Sequence, residues 1–145
     1  MTILFVCTGN TCRSPMAACM MKQLCQEAGL TDIRIISAGV DAWDGQPASQ
    51  GARHAMESRG LSLADHRSQT VTQQLLDETD LVFCVSPRHG EALTHRFAHV
   101  PETASFSPAI ADPFGGSDEV YRACAAAMEA QLNVFVRQLK ANQLP

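Results

Sequence analysis

Cys7 and Arg13 are separated by five residues in the run Cys7-Thr8-Gly9-Asn10-Thr11-Cys12-Arg13-Ser14-Pro15. A thiol and a guanidinium at that spacing suit one job, gripping a tetrahedral oxyanion while sulfur attacks its central atom. The flanks agree with it. Ile3-Leu4-Phe5-Val6 is a short apolar run of a buried strand, and Met16-Ala17-Ala18-Cys19-Met20-Met21 begins a helical pattern, so the run between them joins a strand to a helix N-terminus. Such a junction attracts anions through unpaired N–H groups and the positive end of the helix dipole. Gly9 is expected to let the backbone curl until the groups of Thr8, Gly9, Asn10, Thr11, Cys12, Arg13 and Ser14 surround one phosphate. The planar guanidinium of Arg13 can hold two oxygens side by side, which lysine cannot. This positive setting favours the thiolate form of Cys7, the form that attacks phosphorus. Ser14 and Pro15 open the helix, where proline's missing N–H costs nothing.

A thiolate cannot expel a poor leaving group without a proton, so a general acid is required. The candidate is Asp112, in the turn Asp112-Pro113-Phe114-Gly115-Gly116 ahead of the last helical pattern. In a doubly wound sheet, loops of this kind gather at the carboxyl edge of the strands, where the Cys7 loop also lies. Cys7 would attack in line, Arg13 and the loop amides would stabilise the equatorial oxygens, and Asp112 would protonate the leaving atom and then deprotonate water. This chemistry calls for no metal and no cofactor.

The elements that must position these groups read as follows. A helix is expected over Pro15 to Ala28, with Met16, Met20, Leu24 and Ala28 as a core stripe and Gly29 closing it. The second strand spans Ile33 to Ala38, and the short link before it fits a β-α-β crossover and a parallel sheet. Further helices are expected over Pro47–Arg59, over Val71–Thr79 after a Thr70 cap, and over Arg88–Phe97. Leu81 to Val85 reads as a central strand, and a fourth strand is placed at Ala104–Phe106. Ser117 caps a last helix with the stripe Val120, Tyr121, Cys124, Met128, Leu132, Phe135 and Leu139, and the tail from Ala141 is expected to fray. His89, His95 and His99 match no compact metal site and are assigned to a solvated face.

From Cys7 to Pro15 the sequence resembles the low-molecular-weight protein tyrosine phosphatase family. Ser37-Ala38-Gly39, His66-Arg67-Ser68 and the Asp112-to-Gly116 turn follow in that family's order, so the resemblance covers nearly the whole chain. It implies an α/β three-layer sandwich with a four-stranded parallel sheet, order 2-1-3-4, flanked by helices. It also implies a network in which Asn10, Ser14, Ser37 and His66 hold the loop in its curl, with His66 a supporting residue rather than a base. The loop around Trp43 falls on the cleft rim by resemblance, which leaves Trp43 as either a pocket wall or a surface side chain. Cys12 either captures an oxidised Cys7 as a disulfide, as the family also implies, or merely lends a backbone N–H to the phosphate. Within the family, Thr11 and the Asp112-to-Gly116 turn are most similar to bacterial protein arginine phosphatases. The Thr11 hydroxyl suits a guanidinium beside the phosphoryl group better than a phenyl ring, and Phe114 can stack on either. Phosphoarginine is therefore preferred to phosphotyrosine as substrate. An arsenate reductase would need two further resolving cysteines, and a non-enzymatic phosphate binder would have no use for Asp112.

Length and composition set the bounds. A chain of 145 residues, 46% of them hydrophobic, is expected to form a single domain over residues 1–145. A net charge of −4 argues against nucleic acid or an anionic membrane as partner and leaves phosphorylated protein side chains. No run resembles a signal peptide or spans a bilayer, so a cytoplasmic monomer is expected. The six cysteines fall in strand and helix patterns rather than in a disulfide framework.

Overall fold

Alternation along the first strand sets the layers. The structure, a computed structural model, describes residues 1–142. Strand β1 (Thr2–Cys7) lies between β2 (Arg34–Gly39) and β3 (Leu81–Cys84), and β4 (Glu102–Ser105) completes a parallel sheet in the order β2-β1-β3-β4. Successive side chains of a strand point to opposite faces. Ile3, Phe5 and Cys7 accordingly pack with Met16 and Met21 of α1 (Arg13–Glu27), Met56 of α2 (Gln50–Glu57), and Met128 and Leu132 of α5 (Asp118–Asn142). Leu4 and Val6 pack on the other side with Leu76 of α3 (Gln73–Asp77) and Leu93 of α4 (Pro87–Arg96). The result is the expected three-layer sandwich, with the strand order 2-1-3-4.

All four strands run the same way, so their carboxyl ends share one edge. Cys7 stands opposite Gly39, Val6 opposite Cys84, and Cys84 opposite Ser105. The loops that leave this edge therefore start beside Cys7.

Several boundaries differ from expectation for local reasons. Helix α1 starts at Arg13, two residues before Pro15, so the arginine is already part of the helix. Helix α2 starts only at Gln50, because the side chain of Ser49 accepts the Ala52 N–H and caps it there. Thr72, not Thr70, caps α3, by accepting the Leu75 N–H at 3.1 Å, while Thr70 forms a parallel bridge with Gly39. Phe106 lies just past β4 and is buried. Along α1, Met16 and Met20 are buried but Leu24 and Ala28 only partly so, since steps of four residues drift by about 40° each around a helix. Along α5 the stripe is buried from Tyr121 to Leu132, and Phe135 and Leu139 pack at its margin. Val120 does not join it. One residue before Tyr121 it is turned about 100° away and remains exposed. Ala141 and Asn142, where fraying was expected, are helical, and the rest of that tail lies outside the described residues.

Candidate active site

The loop between β1 and α1 is held by its own side chains. Asn10 adopts a left-handed backbone conformation with φ of 57°, the only residue other than glycine to do so among those described. Asparagine tolerates that conformation better than most residues. The expectation that Gly9 supplies the curl is thus corrected: a Cβ at Gly9 would meet nothing closer than Thr11 Oγ1 at 3.9 Å. The glycine that the loop does require is Gly39, where a Cβ would overlap the Thr8 carbonyl and lie 3.0 Å from the Asn10 nitrogen.

Asn10 is fully buried and uses its whole amide. Its Nδ2 donates to Ser14 Oγ at 2.8 Å and to Ser37 Oγ at 3.0 Å, and its Oδ1 accepts the Gln69 N–H at 2.9 Å. His66 Nε2 lies 2.7 Å from the Asn10 carbonyl, and burial holds the His66 pKa below its ordinary value. The four residues of the expected network, Asn10, Ser14, Ser37 and His66, are therefore brought together. Because Asn10 already donates to Ser14 Oγ, the serine's own proton can go to Cys7 Sγ, 2.9 Å away, or to the more distant Ala38 carbonyl at 3.4 Å. The Asn10 N–H also points to that sulfur, at 3.3 Å. Two donors thus face Cys7, which is 2% exposed.

A cavity of about 210 Å³ opens over the sulfur, lined by every loop residue from Cys7 to Arg13 together with Asp112 and Phe114. Arg13 is buried, and its Nη1 donates to the Ile110 carbonyl at 2.9 Å. Its Nη2 stands 3.8 Å from Asp112 Oδ2. The Asp112 side chain is 56% exposed, and its Oδ1 accepts the Phe114 N–H at 3.1 Å, a short turn that presents both residues to the cavity. Cys7, Arg13 and Asp112, 105 positions apart from first to last (112 − 7 = 105), meet in one place. Thr11 and Phe114 line the same cavity. Trp43 does not: its side chain is 81% exposed, and its carbonyl accepts a hydrogen bond from Ser68 Oγ. Of the two roles open to Trp43, the surface one matches this position.

Cys12 is turned toward α2 and α5. Its Sγ is 3.2 Å from Ser49 Oγ and 3.4 Å from the Tyr121 hydroxyl, and both Cys7 and Cys12 are free thiols. Burial, together with the bond to Cys12, raises the Tyr121 pKa to about 12. Gly51 makes room for the Tyr121 ring, since a Cβ there would overlap it.

One residue at the site escaped the sequence. His89, assigned to a solvated face, is 2% exposed and lies behind the loop. Its Nε2 is 2.9 Å from Thr8 Oγ1 and its Nδ1 is 2.7 Å from Ser86 Oγ. Burial, with Arg13 and Arg88 nearby, lowers its pKa to about 4, so the ring is neutral at ordinary pH. The signal was its place in the first turn of a helix that follows the carboxyl end of β3, the edge that holds Cys7.

The amino-acid sequence matches the family model described as low molecular weight phosphotyrosine protein phosphatase over residues 2–144. The chain belongs to that family. Among curated relatives of this phosphatase family, a protein-arginine-phosphatase of Bacillus subtilis (strain 168) is 34% identical, with 97% of each chain covered. A probable low molecular weight protein-tyrosine-phosphatase, EpsP of Ralstonia nicotianae, is 33% identical over 97% of this chain and 92% of its own. A solved structure of a mutant YwlE arginine phosphatase with a phosphorylated active site serine superposes with a TM-score of 0.93 at 30% identity, covering 99% of this chain and 98% of that one. Among the described residues of this family member, no group of three or more His, Cys, Asp or Glu is arranged to hold a metal, and no helix is long and apolar enough to cross a membrane.

Proposed function

We propose that this phosphatase hydrolyses phosphoarginine on proteins through a phosphocysteine intermediate. The observation that carries the reading is the meeting of Cys7, Arg13 and Asp112 around one small cavity walled by loop amides. The Cys7 thiolate attacks phosphorus, an S–P bond forms, and the bond from phosphorus to the leaving nitrogen breaks. Asp112 gives that nitrogen its proton, and the arginine side chain departs free of the phosphoryl group. Water then attacks phosphorus, Asp112 takes the water's proton, and the thiolate is released with inorganic phosphate. Arg13 and the loop N–H groups carry the charge on the equatorial oxygens in both steps. Ser14 and Asn10 stabilise the departing thiolate from below.

The choice of phosphoarginine is supported by Thr11 on the cavity wall and by the similarity to a protein-arginine-phosphatase. Phosphotyrosine is the second reading, because a tyrosine phosphatase relative stands at nearly the same identity and Phe114 can stack on a phenol ring. An arsenate reductase is disfavoured by Cys84, which is fully buried in β3 with its thiol pushed up to about 12 by burial. Cys7 and Cys12 belong to one loop, and Cys12, whose Sγ bonds Ser49 and Tyr121, has to turn from them to resolve an oxidised Cys7.

Matched phosphoarginine and phosphotyrosine peptides assayed side by side test the function. Faster phosphate release from phosphoarginine is expected. Cys7→Ser should abolish release from both, and Asp112→Ala should lower kcat by roughly 10²- to 10⁴-fold. Thr11→Ile should lower phosphoarginine turnover relative to aryl phosphate turnover, and an unchanged ratio would remove the argument for specificity.

A further inference from the structure

A second cavity, of about 430 Å³, adjoins the first and shares Thr8, Arg13 and Asp112 with it as a common wall. Its remaining lining comes from Ser86 to Arg88 at the start of α4 and from the segment around Ile110. Asp112 sits on the shared wall. Because Asp112 lines both cavities, a substrate chain whose leaving atom it protonates can lay a neighbouring residue in the second.

The charge of this second cavity is unlike that of the chain. Its lining carries two cations, Arg13 and Arg88, and one carboxylate, Asp112, against a net charge of −4 for the whole protein. Arg13 is already engaged by the Ile110 carbonyl and by Asp112. His89, behind the wall, is neutral. Arg88 is exposed and forms no ion pair among the described residues, all of whose ion pairs involve other arginines or a histidine. The cavity therefore presents one uncommitted guanidinium beside the cavity that holds the phosphoryl group.

We propose that this cavity is a substrate subsite for an acidic side chain, Asp or Glu, that neighbours the phosphorylated residue, with Arg88 as the group that binds it. The inference rests on the phosphatase reading above. An exposed arginine and carboxylate attract modestly, and the effect appears in substrate binding rather than in the chemical step. A cation at the rim also repels substrates with a basic neighbour, so the subsite discriminates in both directions.

The test uses phosphopeptides identical except for the residue beside the modified one, which is Glu, Gln or Lys, each made in phosphoarginine and phosphotyrosine form. With the full chain at low salt, kcat/KM for the Glu peptide should exceed that for the Gln peptide by about three- to fivefold, mostly through KM. The advantage should shrink as salt is added. Arg88→Gln should bring the ratio to about one, and Arg88→Glu should make the Lys peptide the better substrate. Arg137→Gln, an exposed position about 24 Å along α5 from Tyr121 at 1.5 Å per residue, should keep the wild-type ratio. Equal turnover of the Glu and Gln peptides, or a preference that survives Arg88→Gln, would overturn the subsite while leaving the phosphatase intact. No phosphate release from any peptide would overturn the phosphatase reading and the subsite with it.

Discussion

Protonating His89 should destabilise this protein, and the size of the effect follows from its surroundings. The ring is buried between Thr8 and Ser86, with Arg13 and Arg88 close enough to oppose a positive charge. Its pKa falls from an ordinary 6.5 to about 4. Between those values the unfolded chain holds a proton on residue 89 that the folded chain does not, so stability rises with pH through that window. The contribution is fully present above 6.5 and is lost as pH falls toward about 4. At 1.36 kcal/mol for each pH unit, moving from about pH 7 to about pH 5 should cost about 2 kcal/mol. Urea unfolding followed by circular dichroism at the two pH values measures that loss. In His89→Gln the side-chain amide can still bond the two hydroxyls but cannot titrate. The variant should lose about 2 kcal/mol less than the wild type over the same interval, whatever its stability at neutral pH. His66, whose pKa burial also lowers, contributes equally to both proteins and cancels in the comparison. Equal losses in the two proteins would show that residue 89 is solvated or paired in a way that contradicts the burial described above.

Two other substitutions probe the loop and its supports. Gly51→Ala places a methyl group against the Tyr121 ring, with the ring's Cγ only 2.7 Å from the new carbon. It should cost roughly 1–3 kcal/mol, seen as a lower Tm in thermal unfolding, and an unchanged Tm would mean that the two helices are not in close contact. Asn10→Ala removes the amide that links Ser14, Ser37 and Gln69 and puts a less tolerant residue at φ of 57°. It should lower kcat/KM on aryl phosphate by about 10- to 100-fold, with a change in kcat as large as that in KM, because the loop amides lose their aim. Wild-type kinetics in a folded Asn10→Ala protein would refute the positioning role of the network.

What the sequence made legible divides by distance along the chain. The Cys7-to-Pro15 loop was readable because a strand, an anion-binding turn, an arginine and a helix start are contiguous, and each supports the same geometry. Asp112 is far from it in sequence, and only the rule that loops collect at the carboxyl edge of a parallel sheet joined the two. That rule applies equally to the segment after β3, where Ser86 and His89 lie, yet a histidine in a polar helix reads by composition as solvated. Trp43 shows the opposite case, a large apolar side chain in a loop, left open between pocket wall and surface by the sequence, whose indole faces outward. Gly9 and Gly39 show a third. A glycine inside a phosphate loop invites a conformational explanation, but the left-handed turn falls on Asn10 and the close backbone approach falls on Gly39, thirty residues from Gly9 (39 − 9 = 30). In each case composition describes what a residue tolerates, whereas burial at the sheet edge depends on which loops converge there. The residues hardest to find are consequently those that support the loop from neighbouring strands. Since they touch the loop rather than the phosphoryl group, their loss should appear as misplaced donors and lost stability before it appears as lost affinity.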